Sequence, residues 1–254
     1  MKRIPDSLWC EIKKLLPKKN TLVVRPEFDN KKVFEGVLYI LRTGAQWSEL
    51  PEKYGCFTTV HGKYMKWARE NVFEKMMVKA REYYRRRNST NIWYALDTLL
   101  KKAPFAKFGG KNPTDRAKQG VKQAVLVDRK GAPMFVCMAP ANVHDSNLLE
   151  PTIKKMRKSK QVRILAADSA WDSEKARAQC KRKNIALIAS PNRRRRKDIH
   201  KFNIAHRWIV EQIFGILSWY RGLKICWAKT QESALGFLQI ACSLRLFKMA
   251  GIFG

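Results

Sequence analysis

The hydrophobic period changes once along this chain, near residue 90, and that change limits the folds open to it. Before it, apolar residues recur at helical spacing. Leu8, Trp9, Ile12, Leu15 and Leu16 follow a Pro5-Asp6-Ser7 cap and stop at Pro17. Val33, Phe34, Val37, Leu38, Ile40 and Leu41 form a second run, closed by a Thr43-Gly44 cap signal. A turn-rich stretch, Leu50–Gly55, leads to a third helical pattern from about Thr58 to Tyr84. Helices with an intervening turn suit a helix-turn-helix-like DNA module or a plain bundle packed on a larger domain, and the pattern fits both equally. The charged run Arg85–Thr90 reads as a linker, so the expected division is an N-terminal α-helical, DNA-binding domain at 1–90 and a second domain at 91–254.

After the linker the runs become short and apolar. Ile92–Leu96 reads as a buried strand ending in Asp97, followed by a Gly- and Lys-rich loop from Lys101 to Gly120. Val121–Val127 and Met134–Met138 flank the turn Asp128–Pro133. Ser146–Met156 is helix-compatible, Val162–Ala167 is a strand ending in Asp168, Ser173–Lys183 is helical, and Ile185–Ala189 is a further strand. Helices are expected over Ala205–Tyr220 and Ala234–Met249. Three strands in meander, then helix and strand in alternation, make an α/β layout with the ribonuclease H-like succession.

Charge says what such a core meets. The 254 residues carry 52 Lys and Arg against 21 acids, a net of +31. The 45% hydrophobic content excludes a disordered basic tail. The excess is spread, with 20 basic and 10 acidic residues in 1–90 and 32 against 11 beyond. A polyanion relieves such a field and releases its counterions on binding, so nucleic acid is the expected partner over a broad footprint. No stretch reaches membrane-spanning length and no signal-peptide core follows Met1, so a cytoplasmic protein with no membrane partner is expected. The six cysteines form no C-x-x-C pair, which argues for buried reduced thiols over a zinc module or disulfides.

Two strand-terminal aspartates, Asp97 and Asp168, fall where α/β sheets gather ligands. Singly, each could equally cap a turn. Side by side they repel unless a cation lies between them, and hard oxygen donors suit Mg²⁺ or Mn²⁺. Glu211 interrupts the apolar run Trp208–Phe214, a costly place for a charge unless it is paired or metal-bound. An ion pair with Arg207, one helical turn earlier, is the plain alternative. Three carboxylates on two strands and a later helix could hold two metal ions for in-line attack on phosphorus.

Several spaced blocks carry a family resemblance over nearly the whole chain. Lys111-Asn112-Pro113-Thr114-Asp115-Arg116 is followed by Lys118, Gly120, Lys122, Leu126, Asp128, Gly131, Pro133 and Ala141-Asn142-Val143-His144-Asp145. Leu41–Trp47, Leu50-Pro51, Tyr54-Gly55 and Trp67 form a second block; Arg207–Glu211 and Leu217–Arg221 form a third. The chain resembles the insertion-sequence transposases of family five, DDE-superfamily enzymes with a small N-terminal helical domain. The resemblance implies that Asp97, Asp168 and Glu211, 71 and 43 residues apart, are the three acidic ligands. It implies metal-dependent cleavage at element ends and 3′-hydroxyl strand transfer, double-stranded DNA partners (terminal inverted repeats and target), and a homo-oligomer of at least two copies in a prokaryotic cytoplasm, near the nucleoid. Two departures stand out. Ser169 occupies the place of a common lysine after the second aspartate, and Ile204 and Ser218 stand where the wider group carries Tyr and Lys.

The expected DNA contacts are Lys111, Arg116, Lys118 and Lys122 near Asp97, the run Arg193, Arg194, Arg195 and Arg196 ahead of the glutamate helix, and Arg207. Asp128 reads as a turn residue, while Asp145 and Asp172 read as helix caps. His144 lacks a second histidine to make a metal pair. The eight tryptophans read first as core residues, with stacking of Trp171 on a displaced base, close to Asp168, as the alternative. A ribonuclease H-like nuclease without strand transfer and a decayed DNA-binding remnant are the competing readings.

Overall fold

The computed structural model describes residues 4–17, 29–88, 92–154, 156, 160–189 and 208–253. Its helices are α1 (Asp6–Lys13), α2 (Asn30–Thr43), α3 (Phe57–Arg69), α4 (Val72–Arg87), α5 (Leu149–Ile153), α6 (Glu174–Arg182), α7 (Trp208–Ser218) and α8 (Gln231–Met249). Its strands are β1 (Trp93–Lys102), β2 (Gly110–Lys111), β3 (Gln119–Asp128), β4 (Pro133–Pro140), β5 (Arg163–Ala167) and β6 (Ile185–Ala189). They divide into two compact units, Met1–Arg87 with Leu217–Gly254, and Asn88–Ile216.

The first unit is helical. Asp29 starts α2 by accepting from the Lys31 and Lys32 amides, and Gly44 ends it in the left-handed region at φ 68, as the Thr43-Gly44 signal predicts. The expected single helix over 58–84 is two helices. Asn71 takes φ 56 between α3 and α4, a geometry that asparagine tolerates better than most residues with a side chain.

Residues 217–254, assigned from sequence to the second domain, belong with this helical unit instead. The reason lies in α8. Leu238, Ile240, Ala241, Cys242, Leu244, Leu246 and Phe247 are all buried, so the helix needs partners on nearly every side. Helices α3 and α4 supply them. The Tyr64 hydroxyl donates to the Ser233 carbonyl, Phe237 stacks on the Tyr64 ring at 4.7 Å, and Gln239 Nε2 donates to Glu74 at 2.6 Å. A long-range core of this kind cannot be read from contiguous segments.

The second unit is built on one sheet. β2 and β4 both pair with one side of β3, and β1, β5 and β6 follow on the other. β3 runs antiparallel to β1, β2 and β4, while β1, β5 and β6 are mutually parallel. This is the expected α/β, ribonuclease H-like arrangement, with α5 and α6 in the crossovers. Two local expectations change. β1 does not stop at Leu96 but continues to Lys102 against β3, from Asp97↔Val125 to Lys102↔Gly120, while β4 pairs with the other side of β3 over Val121–Val125. The single helix expected over 146–156 is a 3-10 turn, Asp145–Leu148, followed by the short α5, where Pro151 is tolerated in the first turn.

All six cysteines are free. Cys180, Cys226 and Cys242 are buried as expected, and burial pushes the Cys180 thiol up to about 12. Cys10 and Cys56 are exposed, against the expectation of burial, because they fall on the outward faces of α1 and the loop before α3. Among the described residues no helix is long and apolar enough to cross a membrane.

In the first unit, Gly222 is pressed against the end of α2. A Cβ there would meet the Leu41 carbonyl oxygen at 2.9 Å and that of Ile40 at 3.1 Å. Gly222→Ala should lower the unfolding free energy by about 2 kcal/mol, the cost of overpacking against backbone. Gly62→Ala, where nothing lies within 4 Å, should raise it by about 1 kcal/mol through helix propensity. Urea denaturation of the two variants should move in opposite directions.

Candidate functional site

The site begins with strand register. β1 and β5 pair in parallel as Trp93↔Ile164, Tyr94↔Leu165 and Ala95↔Ala166. Continuing that register by two residues brings Asp97 level with Asp168. β5 ends at Ala167, so beyond this point β1 keeps only β3 as a neighbour in the paired register, and the two aspartates fall where the strands part. Parallel partners in register share a face, so both carboxylates belong to the same side of the sheet. Asp97 is therefore in mid-strand, not at a strand end as expected. It is the end of its neighbour that opens the position.

Both aspartates are half-buried and held by backbone donors. Asp168 precedes the 3-10 turn Ser169–Trp171, and its Oδ1 accepts from the Ala170 amide at 2.6 Å. Asp97 Oδ1 accepts from the Thr98 amide at 2.8 Å. Such bonds fix the position of each carboxyl group.

A second acidic group lies nearby, with a role that the sequence does not disclose. Asp145 is not the helix cap expected of it, because the His144 side chain accepts from the Ser146 amide in that role. The Asp145 carboxylate instead takes the Thr98 hydroxyl at 2.9 Å and the Lys122 ammonium at 2.8 Å. Lys122 Nζ also donates to the Val143 carbonyl at 2.8 Å. Thr98 and Lys122 lie on one face of the β1–β3 ribbon, the face opposite Asp97, since strand neighbours alternate. The turn Asp145–Leu148 in turn packs against the turn Ser169–Trp171 that follows Asp168. One ion pair thus ties together the segments after both aspartates.

Glu211 does not join this pair in a three-carboxylate group. It is exposed on α7, whose buried side is made by Ile209, Val210, Ile213 and Leu217. Among the described residues no three His, Cys, Asp or Glu side chains come together closely enough to hold a metal ion. The donor chemistry of Asp97 and Asp168 fits Mg²⁺ or Mn²⁺, being two carboxylates side by side. Glu211 does not complete that set in this arrangement.

The expected DNA contacts divide three ways. Lys111, Arg116 and Lys118 are exposed on the turn that links β2 to β3, beyond the far end of β1. The turn is well built. Asn112 Oδ1 accepts from the Thr114 amide and hydroxyl, and Lys102 pairs with Asp115 at 3.6 Å. Arg116 and Ala117 both take positive φ, 48 and 56. Lys122 corrects the expectation: it is only 7% exposed, and its ammonium is engaged with Asp145 and Val143, so it is structural and not a phosphate contact. Its position within β3, buried on both faces, causes this. Arg193, Arg194, Arg195, Arg196 and Arg207 lie outside the described residues.

Three other readings resolve. Asp128 is the turn residue expected, 2% exposed, with Oδ1 accepting from the Lys130 and Ala132 amides. Asp172 does not cap α6, because Ser173 does, and it pairs with Arg177 instead. Trp171 is 1% exposed, a core residue as its first reading has it and not a base-stacking platform, because the 3-10 turn folds its ring inward.

A ribonuclease H-like sheet in which an aspartate of β1 stands level with one just past the end of β5 defines an acidic-site α/β protein of the class that the sequence suggested. The chain belongs to the transposase DDE domain family, whose model matches residues 79–246. Ahead of it, residues 4–77 match the family described as transposases of the IS4/5 family (DUF4096). Membership in the DDE domain family implies dependence on a divalent metal. A protein of Burkholderia cepacia described as a transposase for insertion sequence element IS402 is 29% identical over 144 residues, 53% of this chain and 66% of that one. The uncharacterized protein y4sN of Sinorhizobium fredii (strain NBRC 101917 / NGR234) is 30% identical over 78 residues, 30% of this chain and 62% of that one. The chain thus spans just under two thirds of the length of these curated relatives. Among solved structures, the piggyBac transposase synaptic complex with hairpin DNA aligns with 96% of this chain and 70% of its own, at 11% identity and TM-score 0.45. A pre-cleavage Mos1 transpososome aligns with 93% of this chain and 83% of its own, at 12% identity and TM-score 0.25.

Two stability measurements test this geometry. Asp145→Ala leaves the Lys122 ammonium buried without its carboxylate and should cost about 3 kcal/mol, with part regained in the Asp145→Ala, Lys122→Met double variant. Ala117→Gly removes a left-handed alanine and should add about 1 kcal/mol, read as a higher denaturation midpoint.

Proposed function

We propose that this protein is a DNA transposase that cuts at the ends of its own mobile element and joins the freed 3′-hydroxyls to target DNA. The observation that carries the reading is the register of Asp97 with Asp168, in a chain that belongs to the transposase DDE domain family. Asp97 and Asp168 would hold the divalent ions, Mg²⁺ or Mn²⁺ and two in number; Glu211 on α7, outside that pair in this arrangement, is proposed as the third donor. When bound, such ions activate a water or 3′-hydroxyl and stabilise the leaving oxygen.

The chain's own groups do the rest. The amides of Thr98 and Ala170 hold the two carboxylates in place, so they would need little reorganisation on meeting a cation. Lys111, Arg116 and Lys118 grip backbone phosphates beyond the end of β1, where a shaped turn keeps three cations together. Arg193 to Arg196 and Arg207 add cations ahead of Glu211 in the sequence. The helical unit would serve as the DNA-binding part, and the working form would be a homo-oligomer of at least two copies on paired element ends. The net charge of +31 suits a protein resident on the nucleoid of a prokaryotic cytoplasm.

Cleavage of a labelled DNA carrying the element's end tests the proposal. Mg²⁺-dependent nicking at the boundary should fall by at least about 1000-fold in Asp97→Asn, Asp168→Asn and Glu211→Gln, the scale on which loss of one charge-stabilising group acts. DNA affinity should stay within about twofold, since phosphate contacts dominate it. A variant that still cuts sinks its residue's assignment. Cleavage without joining of pre-cut ends would mark a nuclease, and binding without cleavage would mark a remnant.

A further inference from the structure

The segment between α7 and α8, residues 218–230, is anchored to the helical unit by every apolar group it turns inward. Leu223 and Cys226 are buried, Gly222 is seated on the α2 carbonyls, and the Arg221 backbone carbonyl carbon would lie 3.0 Å from a Cβ on Gly44. Burial pushes the Tyr220 hydroxyl up from its ordinary value. A strap held this firmly has no need of aromatic residues on its outer side. It nevertheless turns Trp219, 85% exposed, and Trp227, 53% exposed, to solvent.

Between and beside these rings the outward residues are Arg221, Lys224 and Lys229, and no acidic residue occurs from Gln212 to Thr230. Large exposed aromatics on an ordered scaffold mark a contact surface. Rings alternating with cations match a nucleic-acid strand, in which base faces alternate with phosphates. A paired base offers its face to a ring only if the duplex is opened, so this surface suits unpaired bases.

We propose that the outer side of residues 218–230 binds an unpaired DNA segment, with Trp219 stacking on a base and Lys224 and Arg221 on the adjoining phosphates. The inference rests on the transposase reading, in which strand ends are separated during cleavage and joining. It gives the displaced strand a docking surface on the helical unit, a role that Trp171 is too deeply buried to fill.

The test uses the full chain in EDTA, so that cleavage plays no part, with a fluorescein-labelled thymine oligonucleotide and a duplex of equal length. Trp219→Ala should weaken oligonucleotide binding about tenfold, as loss of one base stack does, with duplex binding unchanged. Trp219→Phe should restore most of that loss. Lys224→Gln should weaken binding to both and lower the salt slope by about one. At 85% exposure the Trp219 side chain contributes little to the core, and thermal melts of each variant should match the wild type. Equal oligonucleotide affinity for Trp219→Ala and wild type would overturn the proposal. So would a change in sedimentation with DNA affinity intact, which would assign the surface to a second copy of the chain. A wild-type chain that bound neither DNA would instead defeat the transposase reading itself.

Discussion

Parallel pairing of β1 with β5 is the constraint on which the acidic site depends. Three residue pairs, ending at Ala95↔Ala166, fix which residue of β1 stands level with the first residue beyond β5. A slip of one position would turn Asp97 to the opposite face, because strand side chains alternate. The register is itself held by burial: Tyr94, Ala95, Leu96, Leu165, Ala166 and Ala167 are all in the core, and a slip would expose half of them. The chemistry of two polar residues is thus specified by the packing of six apolar ones.

The Lys122–Asp145 pair complements that apolar specification. It joins β3 to the turn after β4 and, through Thr98, to β1 at the residue next to Asp97. Buried ion pairs add little net stability but are costly to break, so they select one arrangement over its neighbours. Here the arrangement selected is the one that brings the turns after β4 and β5 together. The sheet supplies the alignment of the aspartates, and the ion pair limits how the segments around them can shift.

Much of this was legible in the sequence because local signals and the fold agree. The strands over 121–127, 134–138 and 185–189 stand out as apolar runs between turn residues, and Asp29 and Gly44 mark the limits of α2 by cap chemistry. The aspartates were legible because charge following an apolar run is rare. What was missed is nonlocal. The extension of β1 to Lys102 depends on β3 as partner, and its Lys101-Lys102 end carries no apolar alternation. Lys122 reads as one basic residue among 52, and only cross-strand pairing shows it to be buried. Glu211 was legible as a charge in an apolar helix, but its exposure on α7 and the lack of a three-carboxylate group among the described residues are properties of the tertiary structure.

The packing of α8 among α3 and α4 also has a consequence for how the molecule is made. A ribosome delivers α2, α3 and α4 long before Leu238, Ile240 and Phe247, the side chains that fill the space between them. The helical unit therefore stays open throughout synthesis of the sheet and closes only after the last helix emerges, whereas contiguous domains fold in order as they appear. Messenger truncation anywhere before α8 leaves the apolar faces of α3 and α4 uncovered. Such a fragment exposes the kind of surface that chaperones and proteases recognise, so quality control would remove incomplete copies of the protein.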